Sequence, residues 1–302
     1  SFNLRKLSKE RFYYFKHDDD HLIGNYYKVR QILWEERDAI ELKSNHAKKL
    51  NPLCFMNTSN LISINFSDDI QIKNIPVCCF SFTLVETIRI PKSVRKICKG
   101  AFRYCNGLRE VIFSPDIKLE EIESHAFFDC KNLNSISLPN TISVIPEFCF
   151  ASSEISKIIL PESIIKICSD AFNHCENLSS VVFNEGLKEI GCQSFLNCKS
   201  LIKIDLPISL TTILPHAFSG CFNLGDVNIK PESKLVFIKN GAFDFTSIKK
   251  LKLNSKIEEI CNIKNMPKLE KISFHKGKLL HFKQSKDGIV YQLYPINKED
   301  EN

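Results

Sequence analysis

Residues 155–178, ISKIILPESIIKICSDAFNHCENL, contain every part of a unit that recurs along this chain. The unit begins with I/L-x-x-I-x-L-P, continues with a second apolar pair, I/L-x-x-I, and ends with A-F-x-x-C-x-x-L. Its Phe recurs at intervals of 22, 25, 23, 22, 23, 23 and 25 residues, at Phe80, Phe102, Phe127, Phe150, Phe172, Phe195, Phe218 and Phe243. A single coil of this length cannot bury its own apolar side, so the repetition predicts a solenoid of stacked coils.

The first part of the unit predicts a short β-strand, because its apolar residues alternate and many are β-branched. In the unit at 178–183, Leu178, Val181 and Phe183 are expected to face the core. Stacking one such strand from each coil would build a continuous parallel sheet, and the Ala-Phe step would cross the far side as a short helical or irregular segment. Proline, which cannot donate a ladder hydrogen bond, ends the strand at Pro91, Pro139, Pro161 and Pro207.

The cysteines follow the repeat. Of the 13 in the chain, five lie three residues after the repeat Phe: Cys105, Cys130, Cys175, Cys198 and Cys221. Equivalent positions on successive coils face the same way, and parallel Cβ directions do not suit a disulfide. We therefore interpret them as buried core thiols, with disulfides or zinc ligands as the alternative.

Composition and motifs limit the function classes. The 43% hydrophobic and 25% charged content suits a globular protein, and the net charge of +6, from 41 Lys plus Arg and 35 Asp plus Glu, is spread along the chain. Nucleic-acid binding is not expected from such a distribution. No apolar run reaches the length of a transmembrane helix, and no phosphate loop, G-x-S-x-G or H-E-x-x-H motif occurs. The sequence predicts no catalytic residue, cofactor, metal or small-molecule substrate.

Three regions are predicted. Residues 1–59 lack the repeat and have apolar residues near helical spacing, so we expect a helical N-terminal cap, or else a separate interaction segment. Residues 60–274 form the solenoid of eight units of 22–25 residues and a degenerate last coil, and 275–302 form a non-repeat tail. The helical spacing involves Val29, Ile32, Leu33, Ala39, Ile40 and Leu42.

The unit resembles the BspA-like (treponemal-type) leucine-rich repeats of surface antigens from oral bacteria and parasitic protists, over about residues 61–274. Some units depart from the pattern: the one at Phe80 lacks the Cys, the one at Phe150 reads EFCFASS, and the last coil lacks Ala-Phe. The tail resembles the D-G-[IV]-Y...YP element of such arrays at Asp287, Gly288, Ile289, Tyr291, Tyr294 and Pro295. The resemblance implies an α/β leucine-rich-repeat solenoid, curved, with its parallel sheet on the concave face. It also implies an adhesive or ligand-binding surface for host proteins and no catalytic residues.

Strand residues three and five of each unit should face away from the core, onto the concave face. We expect partner proteins, host or extracellular, to bind there, the alternative being an unused solvated sheet. The positions are Glu110, Ile112, Ser135, Ser137, Lys157, Ile159, Ser180, Val182, Lys203, Asp205, Asp226, Asn228, Lys250, Lys252, Lys271 and Ser273.

Two hypotheses of function follow. The first is a non-catalytic adhesive module at the cell surface, as the family resemblance implies. The second is an intracellular scaffold, suggested by the thiols and by an N-terminus that alternates charged and apolar residues, unlike a signal peptide. An enzyme is the least favoured alternative.

Overall fold

Two sets of short strands build the solenoid. The structure, a computed structural model, describes residues 39–42, 50–58, 61–66, 69–260, 265–274, 279–285 and 288–294. In chain order the strands are β1 (Ala39–Leu42), β2 (Ser63–Phe66), β3 (Asn74–Ile75), β4 (Thr87–Ile90), β5 (Lys96–Ile97), β6 (Glu110–Phe113), β7 (Glu121–Ile122), β8 (Val144–Ile145), β9 (Lys157–Ile159), β10 (Lys166–Ile167), β11 (Ser180–Val182), β12 (Glu189–Ile190), β13 (Lys203–Asp205), β14 (Thr212–Ile213), β15 (Asp226–Asn228), β16 (Phe237–Ile238), β17 (Lys250–Leu253), β18 (Glu259–Ile260), β19 (Lys271–Phe274), β20 (Leu279–Ser285) and β21 (Gly288–Tyr294).

The first set comes from the I/L-x-x-I-x-L part of the unit and pairs in parallel as β1-β2-β4-β6, β9-β11, β13-β15 and β17-β19. The second set comes from I/L-x-x-I and pairs as β3-β5-β7 and as β8-β10-β12-β14-β16-β18. The expectation of one strand per coil is therefore wrong for most coils. The second apolar pair is also extended, since its Ile is buried and pairs in register with the Ile of the next coil, as Ile167 does with Ile190.

The repeat Phe side chains form a continuous stack through the core. Successive ring centroids lie 5.1–5.5 Å apart, and the planes are within 17° of parallel. The stack has one member more than the sequence predicted, because Phe55 packs on Phe80 at 5.1 Å. Offset stacking of buried rings stabilises the core in addition to the stabilisation from burying their large apolar area.

The first coil starts before residue 60. Strand β1 pairs in parallel with β2, from Ala39 opposite Ser63 to Leu42 opposite Phe66, so the helical prediction for residues 39–42 is wrong. A short apolar run fits both the helical and the strand period, and here the edge of the first sheet decides between them. The rest of the predicted cap, residues 1–38 and 43–49, lies outside the described residues.

The Ala-Phe step consists of consecutive turns, and the described residues contain no helix. The residues two before and two after the repeat Phe have positive φ, as Asp170 (57°) and His174 (56°) do around Phe172. Their amides donate to the next coil, from Asp170 to the Cys192 carbonyl at 2.9 Å and from His174 to the Leu196 carbonyl at 2.8 Å. These inter-coil bonds hold non-glycine residues in a conformation they otherwise avoid.

Small polar side chains donate hydrogen bonds to a backbone carbonyl that lies just before the second strand of the preceding coil. Ser163 Oγ donates to the Ile142 carbonyl at 2.6 Å, and Ser209 Oγ donates to the Leu187 carbonyl at 2.6 Å. In the coil between them, Asn184 replaces the strand-ending Pro, and its Nδ2 donates to the Ile164 carbonyl at 2.9 Å. Each of these polar groups therefore joins its coil to the preceding one.

The predicted tail contains a β-hairpin. Strands β20 and β21 pair antiparallel from Leu279 opposite Tyr294 to Ser285 opposite Gly288. Strand β21 also pairs antiparallel with β18, placing Ile260 opposite Tyr291. The hairpin therefore extends the second-strand sheet by two strands, of which β21 runs opposite to the coil strands.

Candidate partner-binding surface

Fourteen of the predicted binding positions lie on first strands, which leave them accessible, whereas Ser135 and Ser137 lie in a segment that forms no strand. Within β9, for example, Lys157 and Ile159 are exposed and Ile158 between them is buried. None of the 16 predicted side chains is buried; Ile112, Ser180 and Ser273 are half-buried and the others are exposed. We call this set of 16 residues the strand face.

Apolar side chains interrupt the polar character of the strand face near its middle. Ile159 is 56% exposed and Val182 is 46% exposed. They lie opposite each other in the β9–β11 pair. Two apolar side chains left in solvent side by side form the kind of patch that protein interfaces bury.

The strand face is basic at its C-terminal end, on β17 and β19. Lys250 of β17 lies directly opposite Lys271 of β19, and Lys252 lies opposite Ser273. All three lysines are exposed. We call Lys250, Lys252 and Lys271 the lysine cluster.

The repeat thiols are buried, as predicted, and also hydrogen-bonded. Cys175 Sγ donates to the Phe150 carbonyl at 3.1 Å, and Cys198 Sγ donates to the Phe172 carbonyl at 3.3 Å. Burial raises the pKa of Cys105 and Cys175 to about 12. All cysteines of the described residues are free thiols, and the place of the repeat thiols in the core accounts for their recurrence.

Thiol labelling should separate two classes of cysteine. With iodoacetamide at pH 8, we expect Cys78, Cys98, Cys168 and Cys192, which are half-buried, to be modified first in the native protein. Cys105 and Cys175 should stay unmodified until unfolding, because a thiol with a pKa near 12 is only about one part in 10⁴ ionised at pH 8 and is shielded from the reagent. Peptide mapping by mass spectrometry measures this, and native labelling of Cys175 as fast as Cys192 would contradict it.

An aromatic cluster on the turn side was not foreseen from the sequence. Phe82 stacks on Tyr104 at 4.6 Å, and Tyr104 meets the edge of Phe128 at 5.5 Å. The Arg103 guanidinium lies 4.7 Å from the Tyr104 ring centre and 5.1 Å from that of Phe128. These residues occupy the positions one and two after the repeat Phe, so only the coil stacking brings them together.

A cleft of about 510 Å³ opens beside β7 and β8, where the second-strand sheet is interrupted. Pro146 accounts for the interruption, because it lacks the amide that Cys168, at the same position of the next coil, donates to Ile145. Glu123 in the cleft wall accepts a bond from Lys96 Nζ at 2.6 Å, and this bond lowers the pKa of the carboxyl. The charge of Glu123 is therefore balanced within the protein.

Among the described ranges, no three His, Cys, Asp or Glu side chains are grouped as a metal site would require. The same ranges contain no helix of the length and apolar character that crossing a membrane requires.

Comparison with known proteins identifies the family of the repeats. The family described as BspA type leucine rich repeat region matches residues 38–153 and 143–266, with six copies. Curated proteins give no match. The structure of the pneumococcal vaccine antigen PcpA is similar over 78% of this chain and 65% of that chain, with 23% identity and a TM-score of 0.51. A leucine rich cell surface protein from Faecalibacterium prausnitzii A2-165 is similar over 82% and 62%, with 20% identity and a TM-score of 0.42.

This chain thus spans less than two thirds of the length of either protein, and the likeness to PcpA concerns the fold alone. The family match begins at residue 38, next to β1, and covers most of the chain. It includes the stacked Phe and Cys columns and the strands from β1 to β18. The chain belongs to the BspA-type leucine-rich-repeat family.

Proposed function

We propose that this protein is a non-catalytic protein-binding or adhesive module of the cell surface, and that the strand face binds host or extracellular proteins. The observation that carries the proposal is the contrast between core and face. Core positions repeat the same residue types from coil to coil, whereas the strand face changes and leaves the apolar pair Ile159 and Val182 in solvent.

The composition of the face supports binding rather than catalysis. Its 16 residues include no His or Cys, and hence no Cys-His or Ser-His pair of the kind used for nucleophilic catalysis. Extended sheet surfaces built from stacked repeats are well suited to large partners, because each coil contributes one strip of side chains. Burial of Ile159 and Val182 by a partner would provide the apolar centre of such an interface.

Two matched substitutions test the proposal. Ile159→Glu places a charge at the centre of the strand face, and Ile165→Glu makes the same change at a side chain that is 49% exposed next to the second strand β10. In a binding assay against immobilised extracellular-matrix and serum proteins, we expect Ile159→Glu to weaken binding at least tenfold, because a buried unpaired charge is costly. Ile165→Glu should bind like the wild type. Equal behaviour of the two variants would refute the strand face as the binding surface.

A second candidate is an intracellular scaffold, which the free thiols favour because structural disulfides are typical of oxidising compartments. Labelling of intact cells with a membrane-impermeant reagent distinguishes the two. Modification of this protein in intact cells supports the surface module, and modification only after lysis supports the scaffold.

A further inference from the structure

The lysine cluster differs from the other cross-coil charge pairs of the protein. In the second-strand sheets, a lysine on one coil faces a glutamate on the next: Lys166 pairs with Glu189 at 2.9 Å, and Lys96 pairs with Glu121 at 2.9 Å. Both pairs are directly in register. In both pairs a carboxylate one coil away neutralises the lysine.

The β17–β19 pair differs from these two pairs. Lys250 lies in register with Lys271, so two like charges are directly opposite each other. Such a pair is destabilising in a sheet. No ion pair within the described residues involves Lys250, Lys252 or Lys271. An anion bound above the strands would remove the repulsion that the sequence has left in place.

The spacing of the charges fits an extended peptide. Alternate residues of a strand lie on one face about 6.7 Å apart, in this protein and in any extended ligand beside it. Lys250 and Lys252 are alternate residues of β17, and Lys271 is one strand away, at about 4.8 Å between Cα atoms. One carboxylate can therefore bridge Lys250 and Lys271, while a second carboxylate, two residues along the same peptide, meets Lys252.

We infer that the lysine cluster binds an extended acidic segment of a partner protein, with Asp or Glu at alternate positions of that segment. The inference rests on the proposed function, in which the strand face binds proteins, and it assigns the chemistry of the partner at the β17–β19 end. The attraction is between exposed charges, so binding weakens as ionic strength rises.

The test uses a fluorescein-labelled decapeptide with Glu at alternate positions and Thr between them. A second peptide of the same composition has its five Glu in one block. The variant is K250Q/K252Q/K271Q, and the control K73Q/K92Q/K118Q removes the same charge from three exposed lysines outside the strand face. Fluorescence anisotropy at low salt gives the dissociation constants, and thermal melting confirms that both variants fold.

We expect the alternating peptide to bind the wild type, and to bind K250Q/K252Q/K271Q about tenfold more weakly, roughly twofold for each exposed ion pair lost. The control variant should bind within twofold of the wild type, and the blocked peptide more weakly than the alternating one. The inference is overturned by equal weakening in the two variants, by equal binding of the two peptides, or by no peptide binding. If it fails while Ile159→Glu still weakens partner binding at least tenfold, the proposed function stands.

Discussion

Replacing Phe172 by Ala is expected to lower the free energy of unfolding by about 4 kcal/mol. Phe172 is fully buried and stacks on both neighbours, with ring centroids 5.3 Å from Phe150 and 5.1 Å from Phe195. The substitution removes a large apolar side chain and leaves a cavity that the rings of the adjacent coils cannot fill without moving the backbone. Urea unfolding followed by far-UV circular dichroism measures the change.

The matched control for this prediction is Phe222→Ala, since Phe222 is 50% exposed and lies outside the stack. We expect this variant to lose less than about 0.5 kcal/mol. Because each coil contacts mainly its neighbours, the gap at Phe172 should also broaden the transition as the two halves of the array unfold less cooperatively. Equal losses for the two variants would show that the stack does not contribute in the way its geometry indicates.

The second large effect is expected from Asn184→Asp, at about 3 kcal/mol of lost stability at pH 7. Asn184 is buried, and its Nδ2 donates to the carbonyls of Glu162 at 3.0 Å and Ile164 at 2.9 Å. Aspartate has the same shape but no donor, so a carboxylate oxygen would face two carbonyl oxygens. The substitution therefore tests the hydrogen bonds between coils with almost no change in packing.

The loss should depend on pH. In the folded variant the new carboxyl is buried beside acceptors, which favours its neutral form and raises its pKa above the unfolded value of about 3.9. A raised folded-state pKa gives stability that is present below about pH 4 and lost as pH rises, so the variant should be closest to the wild type at low pH. Asn240→Asp, at an exposed position, is the control and should show little change. Urea unfolding at pH 4 and pH 7 decides, and a loss that is the same at both values would contradict the argument.

The core could be predicted from the sequence because its residues recur in fixed order. Phe172 and Cys175 reappear with the same neighbours in most units, so their burial follows from stacking alone. The second strand was missed because it is only two residues long, as at Lys166–Ile167, and so short an extended segment has no alternation to detect. At residues 39–42 the pattern fitted two periods, and pairing with β2 decided the outcome.

The surface was predictable only in part. Exposure of Lys250 and Ile159 follows from their places at the third and fifth positions of the strand template, and the structure confirms it; their role in binding stays a proposal. Phe82 stacks on Tyr104, and Arg103 lies over the Tyr104 ring. Both contacts depend on the residues with positive φ that flank the repeat Phe. Turns built on positive φ at residues other than glycine give no sequence signal of their own.

The hairpin of β20 and β21 also bears on self-assembly. A stack of parallel coils presents an unpaired edge at each end, and matching edges can join molecules head to tail into filaments. On the second-strand sheet, β21 occupies the edge of β18 in the antiparallel sense. A coil of another molecule therefore cannot pair directly with β18, and the edge that it would meet at this end of the sheet is the hairpin strand β20.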